Sequence, residues 1–148
     1  MLGLFYLNHP DYKQKIRGDN ARKALKYFEL ARDLGYLKAY FHLAVCYESG
    51  QGVNFPNRET AKAYYKDGAL RGDSECKSHY MYYVMQDVSN SGRTEDYHFA
   101  YNYFRDVLIS DPQITETYYY LGHLYECGFG VGKDSSISMA YYNKGAML

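Results

Sequence analysis

The chain has 148 residues, of which 47% are hydrophobic and 23% charged, a composition typical of a folded protein that argues against wholesale disorder. Its formal net charge is zero, so no basic face large enough for a nucleic-acid backbone is implied, and we expect no nucleic-acid partner. No apolar run approaches the roughly 18 residues that a membrane span needs, and we expect no membrane insertion.

The first predicted helix pair begins with residues 1–8, which match the tail of a first helix. A long polar connection containing Pro10 follows, and connections of this length lie on one rim of a helical repeat. Asp19 or Asn20 is expected to cap the second helix, which ends near Leu34.

The second pair, residues 39–72, is the most complete copy of the pattern. Leu43 and Tyr47 fall on one face of its first helix at helical spacing. Gly50 is expected to end that helix, because glycine takes the left-handed backbone of a helix C-terminus at little steric cost. Asn57 is the expected N-cap of the second helix.

The last two pairs continue the same order of elements. A polar loop from Ser89 to Asp96 is expected inside the third pair, and Asp134 is the expected N-cap of the last helix. The four helices are predicted over residues 74–88, 97–109, 115–127 and 135–146.

The pairs repeat one pattern at a nearly constant period. The small residue that opens the apolar stripe of each second helix recurs at intervals of 37, 39 and 38, at Ala24, Ala61, Ala100 and Ser138. An aromatic pair stands three and four residues after each of them. Such a period, with one helix pair per unit, is typical of an α-solenoid, in which each pair buries its stripe only against its neighbours.

The segments LAVCYESGQGV at 43–53 and LGHLYECGFGVGKD at 121–134 resemble Sel1-like repeats, a relative of the tetratricopeptide class. The resemblance implies an all-α fold, a right-handed α-α superhelix of about four helix pairs, as a single repeat domain. The chain starts inside a first helix and ends without a capping helix, so we expect a fragment of a longer repeat protein or ends covered by a partner. The expected units are about 1–35, 36–72, 73–111 and 112–148.

The resemblance also implies a protein-interaction scaffold that binds a peptide or protein segment on the concave face, which the first helices line. The predicted contacts are Lys38 and the other positions on the concave face whose side chains are not needed for packing between helices. Packing of Phe41 and Tyr119 on the adjoining helix is an equal alternative, and the default role of Glu48 and Glu126 is hydrogen bonding within the repeat. The predicted contacts are Phe41, Val45, Glu48, Glu75, Ser78, Tyr82, Met85, Tyr119, His123 and Glu126.

No catalytic residue, metal site or cofactor is predicted. The glycine-rich GFGVGKDS at 128–135 lacks the spacing of a phosphate loop and reads as a helix-to-helix turn. Two His-x-x-x-Cys pairs, His42 with Cys46 and His123 with Cys127, stand two units apart, too far for one zinc ion.

Two alternatives to the scaffold hypothesis remain. An architectural module would self-associate through uncapped ends, and a remote alternative is a Sel1-like enzyme that binds or hydrolyses β-lactams. The three cysteines, Cys46, Cys76 and Cys127, do not form the paired framework of secreted relatives, and the opening MLGLFYL has no signal-peptide features. Both observations favour a cytoplasmic location.

Overall fold

A computed structural model describes the chain from residue 14 to residue 148, with side chains from residue 18 onward. This part of the chain is all-α, as the sequence predicts, with seven helices and no strand. The predicted helix tail at residues 1–8 and the connection at Pro10 lie outside the described residues. The helices are α1 (Gln14–Asp33), α2 (Lys38–Ser49), α3 (Arg58–Leu70), α4 (Ser74–Ser91), α5 (Thr94–Ser110), α6 (Thr115–Cys127) and α7 (Ser135–Ala146).

Helix α1 begins earlier than predicted, so the expected cap at Asp19 or Asn20 is wrong. Both residues lie inside the helix, where Asp19 pairs with Arg22 at 3.2 Å and Asn20 is buried. No proline interrupts the added turns, and Gly18, a weak helix former, costs only about 1 kcal/mol. The helix therefore extends into a segment whose polar sequence indicates a loop.

The turn between α2 and α3 forms as its glycines predict. Gly50 has a φ of 82° and donates its N–H to the carbonyl of Cys46, which ends α2. The N–H of Asn57 then donates to the Tyr47 carbonyl at 2.7 Å. The Asn57 side chain accepts from the Thr60 N–H at 3.0 Å, which confirms it as the N-cap of α3.

The predicted loop from Ser89 to Asp96 is wrong, because α4 continues to Ser91 and α5 starts at Thr94. Buried Val88 anchors the last turn of α4, and Gly92, with a φ of 63°, reverses the chain. Asp96 lies in the first turn of α5, where a carboxylate is favourable, and pairs with Arg93 at 3.0 Å. Polar residues here extend the helices instead of separating them.

The pair α6 and α7 occupies the predicted bounds and repeats the turn between α2 and α3. Gly128 has a φ of 73° and ends α6. The N–H of Asp134 donates to the Tyr125 carbonyl at 3.0 Å, and its side chain accepts from the Ile137 N–H at 3.0 Å. Asp134 is thereby confirmed as an N-cap.

Two compact units make up the chain, the first ending at Lys77 and the second beginning at Ser78. Burying each large apolar side chain contributes about 1.5 to 3 kcal/mol. The core of the first unit contains Ala24, Phe28, Leu43 and Cys46. In the second unit the fully buried side chains include Met81, Phe104, Leu121 and Leu124.

Candidate functional site

An aromatic contact between the two helices of a pair recurs in two of the repeats. Tyr47 stacks on Tyr64 with ring centroids 5.6 Å apart, and Tyr125 stacks on Tyr141 at 5.9 Å. Each stack joins a first helix to the second helix of its own pair. These tyrosine rings pack between the paired helices, so ring contacts with other molecules must come from the remaining faces of the helices.

A tyrosine-to-glutamate hydrogen bond also recurs in both repeats. The Tyr65 hydroxyl donates to Glu48 at 3.3 Å, and the Tyr142 hydroxyl donates to Glu126 at 2.7 Å. Burial and the bond to Glu126 raise the pKa of Tyr142 to about 12. Hydrogen bonding within the repeat, the default role of both glutamates, is confirmed.

The second glycine of each turn contacts the backbone of the preceding second helix. A Cβ at Gly52 would lie 2.5 Å from the carbonyl oxygen of Ala21 in α1. A Cβ at Gly130 would lie 2.6 Å from the carbonyl carbon of Tyr97 in α5. Only glycine fits either place, so each turn is held close against the helix before it.

Lys38 is not free for a partner, because it lies in an ion cluster of the first unit. Its Nζ is 2.8 Å from Asp73 Oδ1 and 3.0 Å from Glu75 Oε1. Asp73 is 2% exposed and caps α4 by accepting the Cys76 N–H at 2.9 Å. Burial opposes ionisation of Asp73, but hydrogen bonds from Lys38 and Cys76 outweigh it and lower the pKa of Asp73.

The predicted contacts of the first unit differ in how much surface they offer. Phe41 and Val45 are half-buried, whereas Glu48 and Glu75 are exposed. The Phe41 ring lies 6.1 Å from the Tyr65 ring, so Phe41 does pack on the adjoining helix. Both glutamates are already engaged with side chains of this unit.

The predicted contacts of the second unit include two exposed aromatic residues, and one prediction there is corrected. Tyr82 is 50% exposed and Tyr119 is 58% exposed. Ser78 is half-buried. Met85 is only 8% exposed, because its side chain faces the core rather than solvent, so it offers almost no surface to a partner.

His123 and Glu126 lie beside Tyr119 on α6. The His123 ring is parallel to the Tyr119 ring at 6.3 Å, and its Nδ1 is 3.9 Å from Glu126 Oε2. The Phe129 ring stands edge-on to His123 at 6.4 Å. The structure therefore brings Tyr119, His123 and Glu126 together.

A cleft of about 370 Å³ between the start of α6 and the end of α7 was not predicted from the sequence. Of its three tyrosines, Tyr119 is a predicted contact, whereas Tyr120 and Tyr142 are not among the predicted contacts. Repeat spacing gives no signal for it, because Tyr142 occupies the same repeat position as the fully buried Tyr65, and only the structure shows that Tyr142 stays partly exposed. The lining includes Glu116, Tyr119, Tyr120, Tyr142, Gly145 and Ala146.

The first unit has a cleft of about 530 Å³ against α3. Its lining mixes charges of both signs, with Arg32, Glu59 and Asp67 among the lining residues. The Arg32 guanidinium donates to the Tyr64 hydroxyl at 2.8 Å, which satisfies part of its charge internally. This mixture gives the cleft no clear preference for one ligand charge.

The cysteines and histidines of the described residues do not converge on one centre. Within residues 14–148, no cluster of three or more histidine, cysteine, aspartate or glutamate side chains could hold a metal ion. His42 stacks on Phe28 at 4.9 Å, and burial lowers its pKa. Burial raises the pKa of the Cys46 thiol to about 11, which disfavours the reactive thiolate.

None of the helices in the described part of the chain combines the length and apolar character needed to cross a bilayer.

Comparison with known proteins places these features in a family. The Sel1 repeat model matches residues 1–36, 37–73 and 115–148, well over half of the chain. The chain therefore belongs to the Sel1 repeat family. Members of this family are generally protein-interaction scaffolds and typically lack enzymatic activity.

Among individual relatives, the chain is 36% identical over 69 residues to rat (Rattus norvegicus) DAP3-binding cell death enhancer 1. The matched region is 47% of this chain and 12% of that protein. This chain therefore corresponds to a small part of a curated relative that it matches.

Two solved structures have the same fold. A Sel1 repeat protein from Oxalobacter formigenes has a TM-score of 0.75 at 26% identity, over 98% of this chain and 55% of that one. The protective antigen c5321 of uropathogenic Escherichia coli, which displays an SLR fold, has a TM-score of 0.73 at 22% identity, over 99% of this chain and 29% of that one. The all-helical solenoid class is thus supported by sequence and by structure.

Proposed function

We propose that this chain is an interaction scaffold that binds a peptide or protein segment through exposed side chains of its first helices. The observation that carries the proposal is the exposure of Tyr82 on α4 and Tyr119 on α6, both at predicted contact positions. Large aromatic side chains left half-exposed are costly to leave in water and are enriched at protein interfaces.

Both tyrosines are held by neighbours, which lowers the entropic cost of binding. The Tyr82 ring lies edge-on to Tyr83 at 5.8 Å, and its hydroxyl accepts a hydrogen bond from Gln86. The Tyr119 ring contacts Tyr120 at 5.5 Å. A preorganised aromatic surface loses little side-chain freedom when a partner covers it.

The surroundings favour a partner with apolar and basic side chains. Tyr119 stands near Glu116 and Glu126 on α6, and carboxylates beside aromatic rings suit such a segment. The name of the rat relative describes a protein that binds DAP3, which supports a protein as partner here. The repeat units at about 1–35, 36–72, 73–111 and 112–148 remain our proposed division of the chain.

The test is capture of partners from source-cell lysate by the wild-type chain and by a Tyr82/Tyr119/His123 triple alanine variant that has first been shown to fold. The matched control replaces Phe99 and Ile109, exposed apolar residues of α5, with alanine. We expect the same protein to be retained by wild type and control and lost by the triple variant. Equal retention by all three chains would contradict the proposal.

The same samples test the alternatives. A scaffold of this kind should give no turnover of a β-lactam reporter, and its mass should not depend on concentration. Mass that rises with concentration would favour the self-assembling module instead.

A further inference from the structure

Three tyrosine hydroxyls of the second unit lie where α5 meets the pair α6 and α7. The hydroxyl oxygens of Tyr101 on α5 and Tyr125 on α6 are 3.1 Å apart, and the Tyr125 ring stacks on Tyr141 of α7. One hydroxyl of the hydrogen-bonded pair donates and the other accepts, so the accepting hydroxyl keeps a proton that it can donate to a ligand. The Tyr141 hydroxyl makes no hydrogen bond with any described residue.

A guanidinium stands beside these hydroxyls. The Cζ atom of Arg105, one turn after Tyr101 on α5, lies 5.8 Å from the centre of the Tyr101 ring. Burial raises the pKa of Tyr141, and the positive charge of Arg105 opposes that shift, so Arg105 acts on the Tyr141 hydroxyl as well. Arg105 is exposed and forms no ion pair with any described residue. Its charge can therefore pair with a ligand.

The first unit uses the equivalent hydroxyl internally. Tyr64 occupies the repeat position of Tyr141, and its hydroxyl accepts a hydrogen bond from Arg32 at 2.8 Å. The same guanidinium pairs with the adjacent Asp33 at 3.1 Å. The arginine and the hydroxyl of this unit thus satisfy one another, and the charge of the arginine is balanced within the chain.

The second unit changes both partners. Leu108 stands at the repeat position of Arg32, so Tyr141 has no arginine donor from that position. Arg105 stands at the repeat position of Glu29, where the first unit carries a carboxylate. This exchange leaves the second unit with a cation that has no carboxylate partner, beside hydroxyls that can donate.

The Tyr64 side of the repeat stays open where the chain continues. Tyr64 lines the cleft of about 530 Å³ although a further helix pair follows in the chain. The residues directly after α3 pack on the side of Tyr65 and Gly68 instead, where Cys76 fills the space beside Gly68. We therefore expect a helix pair that follows α7 to leave the equivalent side, at Tyr141, open as well.

The donors and the charge suit a carboxylate. Arginine forms two parallel hydrogen bonds with a carboxylate, and hydroxyl groups can donate to the lone pairs that remain on its oxygens. A monoanion also balances the single charge of Arg105. A phosphate group would bring further negative charge into residues 78–148, where acidic residues already outnumber basic ones.

We propose that Arg105 and the three tyrosine hydroxyls beside it bind the carboxylate group of a ligand. The guanidinium donates to both carboxylate oxygens, and the tyrosine hydroxyls donate to the same oxygens and fix their position. This inference goes beyond the proposed scaffold function, because the site uses none of the first-helix contacts on which that proposal rests.

The direct test is an NMR titration of the full chain that follows the Nε–H resonance of Arg105. The probes are blocked alanine pentapeptides with glutamate, glutamine or phosphoserine at the centre, and propionate, which is the side chain of glutamate alone. We expect the glutamate peptide to shift this resonance and to bind about tenfold more tightly than the glutamine peptide, which keeps the shape without the charge.

Propionate identifies the source of the carboxylate. Tighter binding of the glutamate peptide than of propionate would support the site and assign its ligand to a polypeptide. Equal binding would support the site and assign its ligand to a free carboxylic acid.

Variants separate the charge from the hydroxyl. Arg105→Gln should weaken the glutamate peptide about tenfold, and Tyr141→Phe, which removes only a hydroxyl, should weaken it about fivefold. Arg71→Gln is the matched control, because Arg71 is an exposed arginine 4.9 Å from the centre of the Tyr40 ring in the first unit. Circular dichroism and thermal unfolding verify that each variant folds.

Equal affinity for the glutamate and glutamine peptides, or unchanged affinity in Arg105→Gln, would overturn the inference. Tighter binding of the phosphoserine peptide than of the glutamate peptide would overturn the choice of a carboxylate. The Tyr82/Tyr119/His123 triple alanine variant should bind the glutamate peptide like wild type, so failure of this site and failure of the scaffold proposal are measured separately.

Discussion

Turn glycines meet two separable requirements, a left-handed backbone and a missing side chain. Gly52 has both: its φ is 78°, and a Cβ there would lie only 2.5 Å from the Ala21 carbonyl oxygen. Gly35 has a φ of 87° but open space around it. Gly132 has open space and no left-handed backbone. These three positions allow each requirement to be measured.

We predict a graded loss of stability when each glycine is replaced by alanine. Gly132→Ala should be nearly neutral, and Gly35→Ala should cost about 1 to 2 kcal/mol for the left-handed backbone. Gly52→Ala should cost about 3 kcal/mol or more, because the clash adds to the strain. Urea unfolding measures all three. Similar losses for Gly52→Ala and Gly35→Ala would show that the contact with α1 is not tight.

The Asp73 carboxylate makes stability depend on pH. Its pKa is lowered in the folded state, so it contributes stability above its unfolded pKa of about 3.9, and that contribution is lost as pH falls through the folded pKa. Asparagine keeps the capping oxygen but loses the charge that pairs with Lys38. The two forms therefore differ only where Asp73 is ionised.

We predict that Asp73→Asn is less stable than wild type by about 1 to 2 kcal/mol at pH 7. The difference should shrink as pH falls below about 4. Urea unfolding at a series of pH values measures it, with exposed Asp67→Asn as the control. A difference in stability that persists unchanged at pH 2 would mean that Asp73→Asn destabilises the protein through packing rather than through the loss of charge.

Among the elements, α1 gives the clearest test of the fold against the sequence pattern. We predict that Asp19→Pro costs about 3 kcal/mol, because proline inside a helix removes a hydrogen bond and clashes with the preceding turn. Asp19→Ala, which loses only the exposed pair with Arg22, should cost less than about 0.5 kcal/mol. Thermal unfolding followed by circular dichroism compares them. Equal stability of the two variants would support a loop at this place.

The elements that could be predicted from the sequence are those with strong local signals. Helices α6 and α7 have the predicted bounds because Gly128 ends one and Asp134 caps the other. The predicted helix boundaries near Asn20 and Ser89 are wrong, because the polar composition of these segments resembles that of loops. Helix α1 nevertheless includes Asn20, and α4 continues past Val88 to Ser91; local composition is a weak guide that the rest of the fold overrides.

The candidate site was predictable only in part for a similar reason. Helical register identifies the side of α2 and α6 on which Lys38 and Tyr119 lie, but it does not say which residues cover that side. Register therefore places both Lys38 and Met85 among the residues free to contact a partner. In the structure Lys38 is paired with Asp73, and Met85 is buried. The cleft beside Glu116 depends on exposure, which repeat spacing alone does not report.

Across the whole molecule, stability depends on small residues where helices meet. Ala61 opens the buried stripe of α3 and is fully buried, whereas Ala63, on the same helix, is exposed. We predict that Ala61→Arg destabilises the first unit by more than about 3 kcal/mol, because a large charged group enters a close contact. Ala63→Arg should have little effect.

Hydrogen exchange measured residue by residue distinguishes local from global loss. In a repeat protein each unit depends mainly on its neighbours. The amides of α2 and α3 should therefore lose protection first in Ala61→Arg, while those of α6 and α7 retain more of theirs. An unchanged melting curve would refute the assigned register.

The contacts of Gly52 and Gly130 bear on how such a chain can diversify. In both, the atoms nearest to the glycine are main-chain atoms of the preceding helix, joined at Gly52 by Leu25 Cβ, so the contact depends little on which side chains surround it. A duplicated unit can thus dock through this turn and then change its surface freely, even to the point of exchanging Glu29 for Arg105. Gene duplication followed by drift in surface charge can generate new binding preferences while the joints between units stay constant.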